Sequence, residues 1–210
     1  MRHQVRWMIP LVMGLSALAG CEREPIDRVC PALHAGDLAI SEIRGPQGGG
    51  TDTWGQWIEI HNPTDAELSL CGLLIRVQRL DGSGATDISV RDRGASIDPL
   101  GYFVFGRFPA DDLPAHVDYG YEADFSGDLY SNGVIDLYGC DEVPVDRITY
   151  EDLTTEGSLS YDGALVLTAE SNDEQADWCV DDHPAEPGDG GTTALGLPGT
   201  PKEMNLSCPE

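Results

Sequence analysis

Positive charge is scarce in this sequence. Lys and Arg together number 12 against 37 Asp and Glu, a formal charge of −25 at neutral pH. A surface of that sign repels phosphate backbones, which excludes nucleic acid as a partner. Histidine is also sparse. The five residues, His3, His34, His61, His116 and His183, lie in separate segments with no HxxxH spacing, and no CxxC or Cys/His pair has the spacing of a zinc site. Gly-x-Ser-x-Gly is absent, so the turn that exposes a nucleophilic serine in many hydrolases has no counterpart. Gly82-Ser83-Gly84 is a turn, too short to cradle a phosphate. No sustained helical stripe precedes residue 170, and no repeat of 20–50 residues is visible. These absences leave no catalytic residue to nominate.

The sequence is rich in turn formers, with 25 Gly and 14 Pro beside 40% hydrophobic residues. That composition suits a loop-rich all-β domain better than a helical bundle. The N-terminus is of another kind. Arg2 and Arg6 precede an apolar run from Met8 to Ala19 that is short for a bilayer span, and the run ends in Leu18-Ala19-Gly20-Cys21. These four residues resemble the bacterial lipobox, in which the cysteine is acylated and becomes the first residue of the mature chain. The resemblance implies a signal peptide over 1–20 and a membrane-lipid partner through Cys21, since each buried acyl CH₂ contributes about 0.8 kcal/mol. It places the protein at the bacterial cell envelope, at the outer membrane or cell surface in preference to the inner membrane. Cleavage before Cys21 would remove two arginines and no acid, leaving 10 basic against 37 acidic residues, −27. Residues 21–36 read as a disordered tether, with the domain spanning 37–208.

Within that domain the strongest segment is Gln56-Trp57-Ile58-Glu59-Ile60-His61-Asn62-Pro63. Its alternation predicts a half-buried strand with Ile58 and Ile60 on one face and Trp57, Glu59 and His61 on the other. Asn62-Pro63 ends it, because proline cannot donate to a ladder. Similar short runs occur at 37–43, 67–70, 73–79, 86–90, 102–106, 134–138, 143–150, 158–161 and 164–167. Ile43 is out of phase with Leu38 and Ile40, which predicts a bulge or strand end near Glu42. Val143 and Val145 are placed on the pleat face opposite Ile148. Residues 171–178 suit one helical turn capped by Ser171 or Asn172. Eight to ten short strands separated by turns predict an all-β sandwich or barrel. Its core would take Leu38, Ile40, Ile58, Ile60, Leu73, Ile75, Val77, Phe103, Phe105, Ile135, Leu137 and Ile148.

Several of these pieces resemble the lamin-tail domain found on secreted bacterial proteins. They are Leu38 to Ile43 with its Glu-Ile end, Trp57-Ile58-Glu59 running to Asn62, and Leu68 to Leu73. Asn132-Gly133 with 134–137, Val145 to Tyr150, Gly157 to Ser160, Trp178, and Gly196 to Pro201 with Asn205 complete the set. The resemblance covers about residues 37–205. It implies an immunoglobulin-like β-sandwich, no enzymatic activity, and binding or adhesion toward a cell-envelope protein or polysaccharide. The alternative is a calcium-dependent or hydrolase-associated accessory domain.

The candidate binding residues are Trp57, Glu59 and His61, on their shared strand face. The competing reading covers that face with a second layer or a neighbouring loop. Calcium is the one cofactor left open, with Asp81 and Asp87 beside the Gly82-Ser83-Gly84 turn as weak ligand candidates; Asp111, Asp112 and Asp118, or Asp181, Asp182 and Asp189, are others. None follows the EF-hand order. Five cysteines remain if Cys21 is acylated, and export predicts that they pair. Cys71 and Cys140 both flank strand ends and are paired, Cys179 is paired with Cys208, and Cys30 is left over. A Cys30–Cys208 link is the alternative.

Overall fold

A computed structural model describes residues 29–48, 54–140, 143–183 and 197–209. The chain forms twelve strands among these residues and almost no helix. They are β1 (Ala39–Arg44), β2 (Trp57–His61), β3 (Leu68–Ser69), β4 (Leu74–Arg79), β5 (Thr86–Ser89), β6 (Ser96–Ile97), β7 (Tyr102–Gly106), β8 (Tyr119–Gly120), β9 (Gly133–Tyr138), β10 (Pro144–Tyr150), β11 (Ser158–Tyr161) and β12 (Trp178–Asp181). A six-stranded sheet, ordered β12-β11-β1-β2-β7-β8, packs on a four-stranded sheet ordered β10-β9-β4-β5, with β3 and β6 paired separately. All pairings are antiparallel except β7 with β8. The fold is an all-β sandwich of the immunoglobulin-like kind. Its strand count exceeds the predicted eight to ten because β6, β8 and β12 carry too little alternation to be read, while 164–167 forms a turn and not a strand.

The predicted core residues all lie in the cluster between the two sheets. Two bulges make this consistent with the pleat. Ile40 faces Ile60 and Glu42 faces Glu59, so Ser41 is an extra residue in β1. The slip returns Ile43 to the core side with Ile40. In β10, Pro144 faces Tyr138 and Asp146 faces Leu137, so Val145 is the extra residue. This corrects the placement of Val145 opposite Ile148: both are buried in the same core, and Val143 is exposed. Asp146 links the bulges. Its Oδ2 accepts from Ile40 N at 2.7 Å and from Asn172 Nδ2 at 2.9 Å, and Asn172 Nδ2 also donates to Ile40 O.

Asn62 ends β2 by more than its proline neighbour. Buried completely, it donates to Ala66 O and Asp98 O and accepts from Thr64 N and Oγ1, which fixes the turn into β3. The expected helical turn is two 3-10 turns, Ser171–Asp173 and Gln175–Asp177, without a side-chain cap.

Residues 30–36 belong to the domain and not to a tether. Leu33 sits in the core, Gly36 N donates to Val145 O at 2.8 Å, and Cys30 is bridged to Cys140 with a Cα–Cα distance of 5.3 Å. The pairing of Cys71 with Cys140 is thereby corrected: Cys71 is a buried free thiol. The cause is the path of the N-terminal segment. It runs over the Gly72 and Gly139 turns, so close that a Cβ on Gly72 would stand 2.1 Å from Val29 O. That path delivers Cys30 to Cys140. The pairing of Cys179 with Cys208 holds, with a Cα–Cα distance of 5.8 Å.

Candidate functional site

The site grows from the Ser41 bulge. Because Ser41 is the extra residue, Glu42 and Glu59 stand directly across from each other in the six-stranded sheet, on the face away from the main core. Trp57 shares that face one pleat along β2. All three are completely buried. What buries them is the C-terminal segment 197–205, laid over the sheet as a strap, and the 107–118 loop. Leu197, Trp57, Val104 and Val117 make a small second core there, with Trp54 and Phe108 packed against it. Trp57 and Glu59 therefore do not form a surface patch with His61, and the second-layer reading describes them.

Each carboxylate is held by named donors. Glu42 Oε1 accepts from the Trp57 indole Nε1 at 2.8 Å, and Glu42 Oε2 accepts from Thr200 N at 3.1 Å. Glu59 Oε1 accepts from Ser41 Oγ at 2.7 Å, and Glu59 Oε2 accepts from Lys202 N at 2.5 Å. Thr200 Oγ1 lies 3.3 Å from Glu42 Oε2 and 3.0 Å from Asn205 Oδ1. Asn205 Nδ2 donates to Ser41 O and Tyr161 O, closing the circuit between strap, bulge and β11. Lys202 Nζ reaches Asp118 Oδ1 at 2.8 Å and Ala115 O at 2.9 Å, which joins the strap to the loop. The strap can approach so closely because Gly199 has φ +95°, and a Cβ there would stand 2.6 Å from Glu42 Oε1.

Burial governs the electrostatics. It pushes the Glu42 carboxyl up to about 7, against the lowering effect of the Thr200, Trp57 and Ser158 hydrogen bonds. Glu59 is raised well above the usual carboxylate range, first by burial and then by the Glu42 charge beside it. Two acids in contact in a dry layer cannot both ionise cheaply, so the pair keeps a proton into the neutral range. Chemically the arrangement is a fastening: backbone N–H groups of the strap dock on a buried acid pair.

The remaining predicted residues lie elsewhere. His61 is half-buried at the end of β2, with Nδ1 3.0 Å from Gly101 O and its ring 4.6 Å from that of Tyr102; burial lowers its pKa. Asp87 is forked by Arg76 at 2.7 and 2.9 Å, and Asp81 accepts from Ser83 N in the β4–β5 turn. Asp118 is spent on Lys202 and Val104 N. Among the described residues, no cluster of three or more His, Cys, Asp or Glu is arranged to hold a metal ion. Likewise, no helix there is long and apolar enough to cross a membrane. The expected signal peptide over 1–20, Cys21, Asp189 and the first half of the expected tether lie outside the described residues. Strand alternation alone does not pair Glu42 with Glu59, although the Glu-Ile strand end and the phase break at Ile43 are both readable signals of it. No protein-family model matches the chain, and no curated protein does.

Proposed function

We propose that this chain is a membrane-anchored, non-catalytic lipoprotein of lamin-tail type, whose sandwich binds a protein or polysaccharide at the bacterial cell envelope. One observation carries the reading. Segments scattered from residue 42 to residue 205 on which the resemblance rests meet in one buried network: Glu42, Trp57, Glu59, Thr200 and Asn205. The motif acids are consumed in holding the strap, which suits a rigid display module better than a reaction centre. The lipobox at Cys21 supplies the attachment. The acidic surface keeps such a module soluble and away from nucleic acid.

The test is saturable binding. A soluble form lacking residues 1–21, fluorescently labelled, is applied to isolated cell envelopes. Binding that saturates and is competed by unlabelled protein is expected. Binding that rises linearly without competition would count against the reading.

A further inference from the structure

One end of the sandwich differs from the rest of this acidic surface. β1 and β7 begin there and β2 and β11 end there, as the register of the six-stranded sheet requires. In the facing sheet, β4 and β10 begin and β9 ends at one end. The hydrogen bonds Ile40 N to Asp146 Oδ2 and Gly36 N to Val145 O bring the two ends together. At this common end a groove of about 410 Å³ is lined by His61, Leu100, Tyr102, Leu165, Val166 and Met204, among others. Among the described residues, the carboxylate in its wall is Asp162, which accepts from the N–H groups of Ala164 and Cys208. Beside it and the tyrosines, the titratable side chain described there is His61, and burial favours its neutral form.

Six of the ten exposed large apolar side chains among the described residues lie at the same end, while Leu80, Leu113, Val180 and Leu206 lie outside it. Leu100 is 64% exposed, Val166 82% and Met204 67%, and Leu165, Val29 and Val143 are exposed there too. Leu80 is the exposed apolar residue of the far hairpin. Leu100 also adopts φ +56°, a left-handed conformation that costs a leucine strain and that Gly or Asn would hold more easily. An exposed leucine kept at a strained turn contributes nothing to packing. Asp65, Glu67 and Asp98 are exposed in the turns beside the groove, but its wall is mainly apolar, and an exposed apolar patch of this kind marks a contact surface.

The chain itself indicates what covers this surface. Val29 lies at this end, against the turn that precedes β4. Seven residues separate it from Cys21, a span of at most about 28 Å fully extended. We propose that this end is a membrane-docking face: Leu100, Leu165, Val166 and Met204 insert shallowly into the lipid surface that holds the acylated Cys21. Tyr102 and His61 stand at the rim, at headgroup depth. The inference rests on the anchoring reading given above. The tether supplies the local concentration that four side chains need, and the contact is apolar, hence insensitive to salt.

The test uses the full-length lipidated protein in phosphatidylcholine–phosphatidylethanolamine vesicles containing doxyl-labelled lipid. An environment-sensitive fluorophore is placed at Val166→Cys, or at Leu80→Cys as the far-end control, with unsubstituted protein as the labelling control. The Val166 probe should shift to the blue and be quenched several-fold more strongly than the Leu80 probe, equally at low and high salt. The Leu100→Asp, Met204→Asp double variant should bring Val166 quenching down to the Leu80 level. Equal quenching at both positions in protein that co-floats with vesicles overturns the docking face alone. A concentration-dependent blue shift in lipid-free detergent would assign the patch to pairing between copies and also overturn it. Failure to co-float at all would withdraw the anchor and this proposal with it.

Discussion

The acid pair shows how a single residue's environment fixes its role. Glu42 and Glu59 are ordinary strand residues by pattern, yet the strap that covers them turns them into proton-holding acceptors. The pH dependence follows. Glu42 has a folded pKa of about 7 against an ordinary 4.5, so between those values the folded chain keeps a proton that the unfolded chain has released. Stability therefore falls as pH rises through that window and levels off above it, by about 3 kcal/mol for this one group. Asp146, raised by burial from 3.8 to about 6, adds the same sign at the lower end. Melting temperature should thus drop between pH 5 and pH 8. General repulsion among 37 acids acts in the same direction, so the discriminating variant is Glu42→Gln. The amide loses an acceptor and lowers stability at pH 5, but its melting temperature should vary less with pH than that of the wild type. An unchanged slope would mean that Glu42 is not the proton holder. The face that Trp57 and Glu59 occupy is legible from alternation. Their cover is not, because the strap that supplies it lies some 140 residues downstream and has no period of its own.

At the scale of elements, the bulges and the cross-links carry most of the information that pattern reading lacks. The break at Ile43 signals the Ser41 bulge, since one extra residue is what returns an out-of-phase isoleucine to the core face of a continuous strand. The Val145 bulge gives no such sign: Val143, Val145 and Ile148 fit a regular pleat on paper, and only pairing with β9 shows the slip. The shortest elements are silent for the same reason, as β6 and β8 have two residues each. Cysteine pairing depends on a path that sequence does not encode locally. In a soluble form lacking residues 1–21, alkylation after denaturation without reductant should modify one cysteine, Cys71, and none before unfolding. Cys140→Ala opens a loop with a sequence separation of 110, worth about 5 kcal/mol in the chain-entropy model. It should lower the melting temperature far more than Cys71→Ala does. Equal losses, or a thiol found at Cys30 in the unsubstituted chain, would show that the cross-links are misassigned.

Across the whole molecule, exposed apolar surface is unevenly placed. The end where the chain arrives from Cys21 carries exposed leucines, valines and a methionine. The all-β class and the core are legible because they depend on periodicity within short windows. The strap, the sealed acid pair and the apolar end depend on which distant segments meet, and periodicity is silent about that. The proposed anchoring would give these features a common sense: a domain cross-linked by Cys30–Cys140 and Cys179–Cys208, tethered at a lipid surface. The most direct test is fractionation of cells producing the wild-type chain and Cys21→Ala. Wild-type protein should take up labelled palmitate and lose its signal peptide, and the variant should stay unlabelled and keep residues 1–20. Wild-type protein in the soluble fraction, or a variant that labels and is processed as the wild type is, would contradict the account.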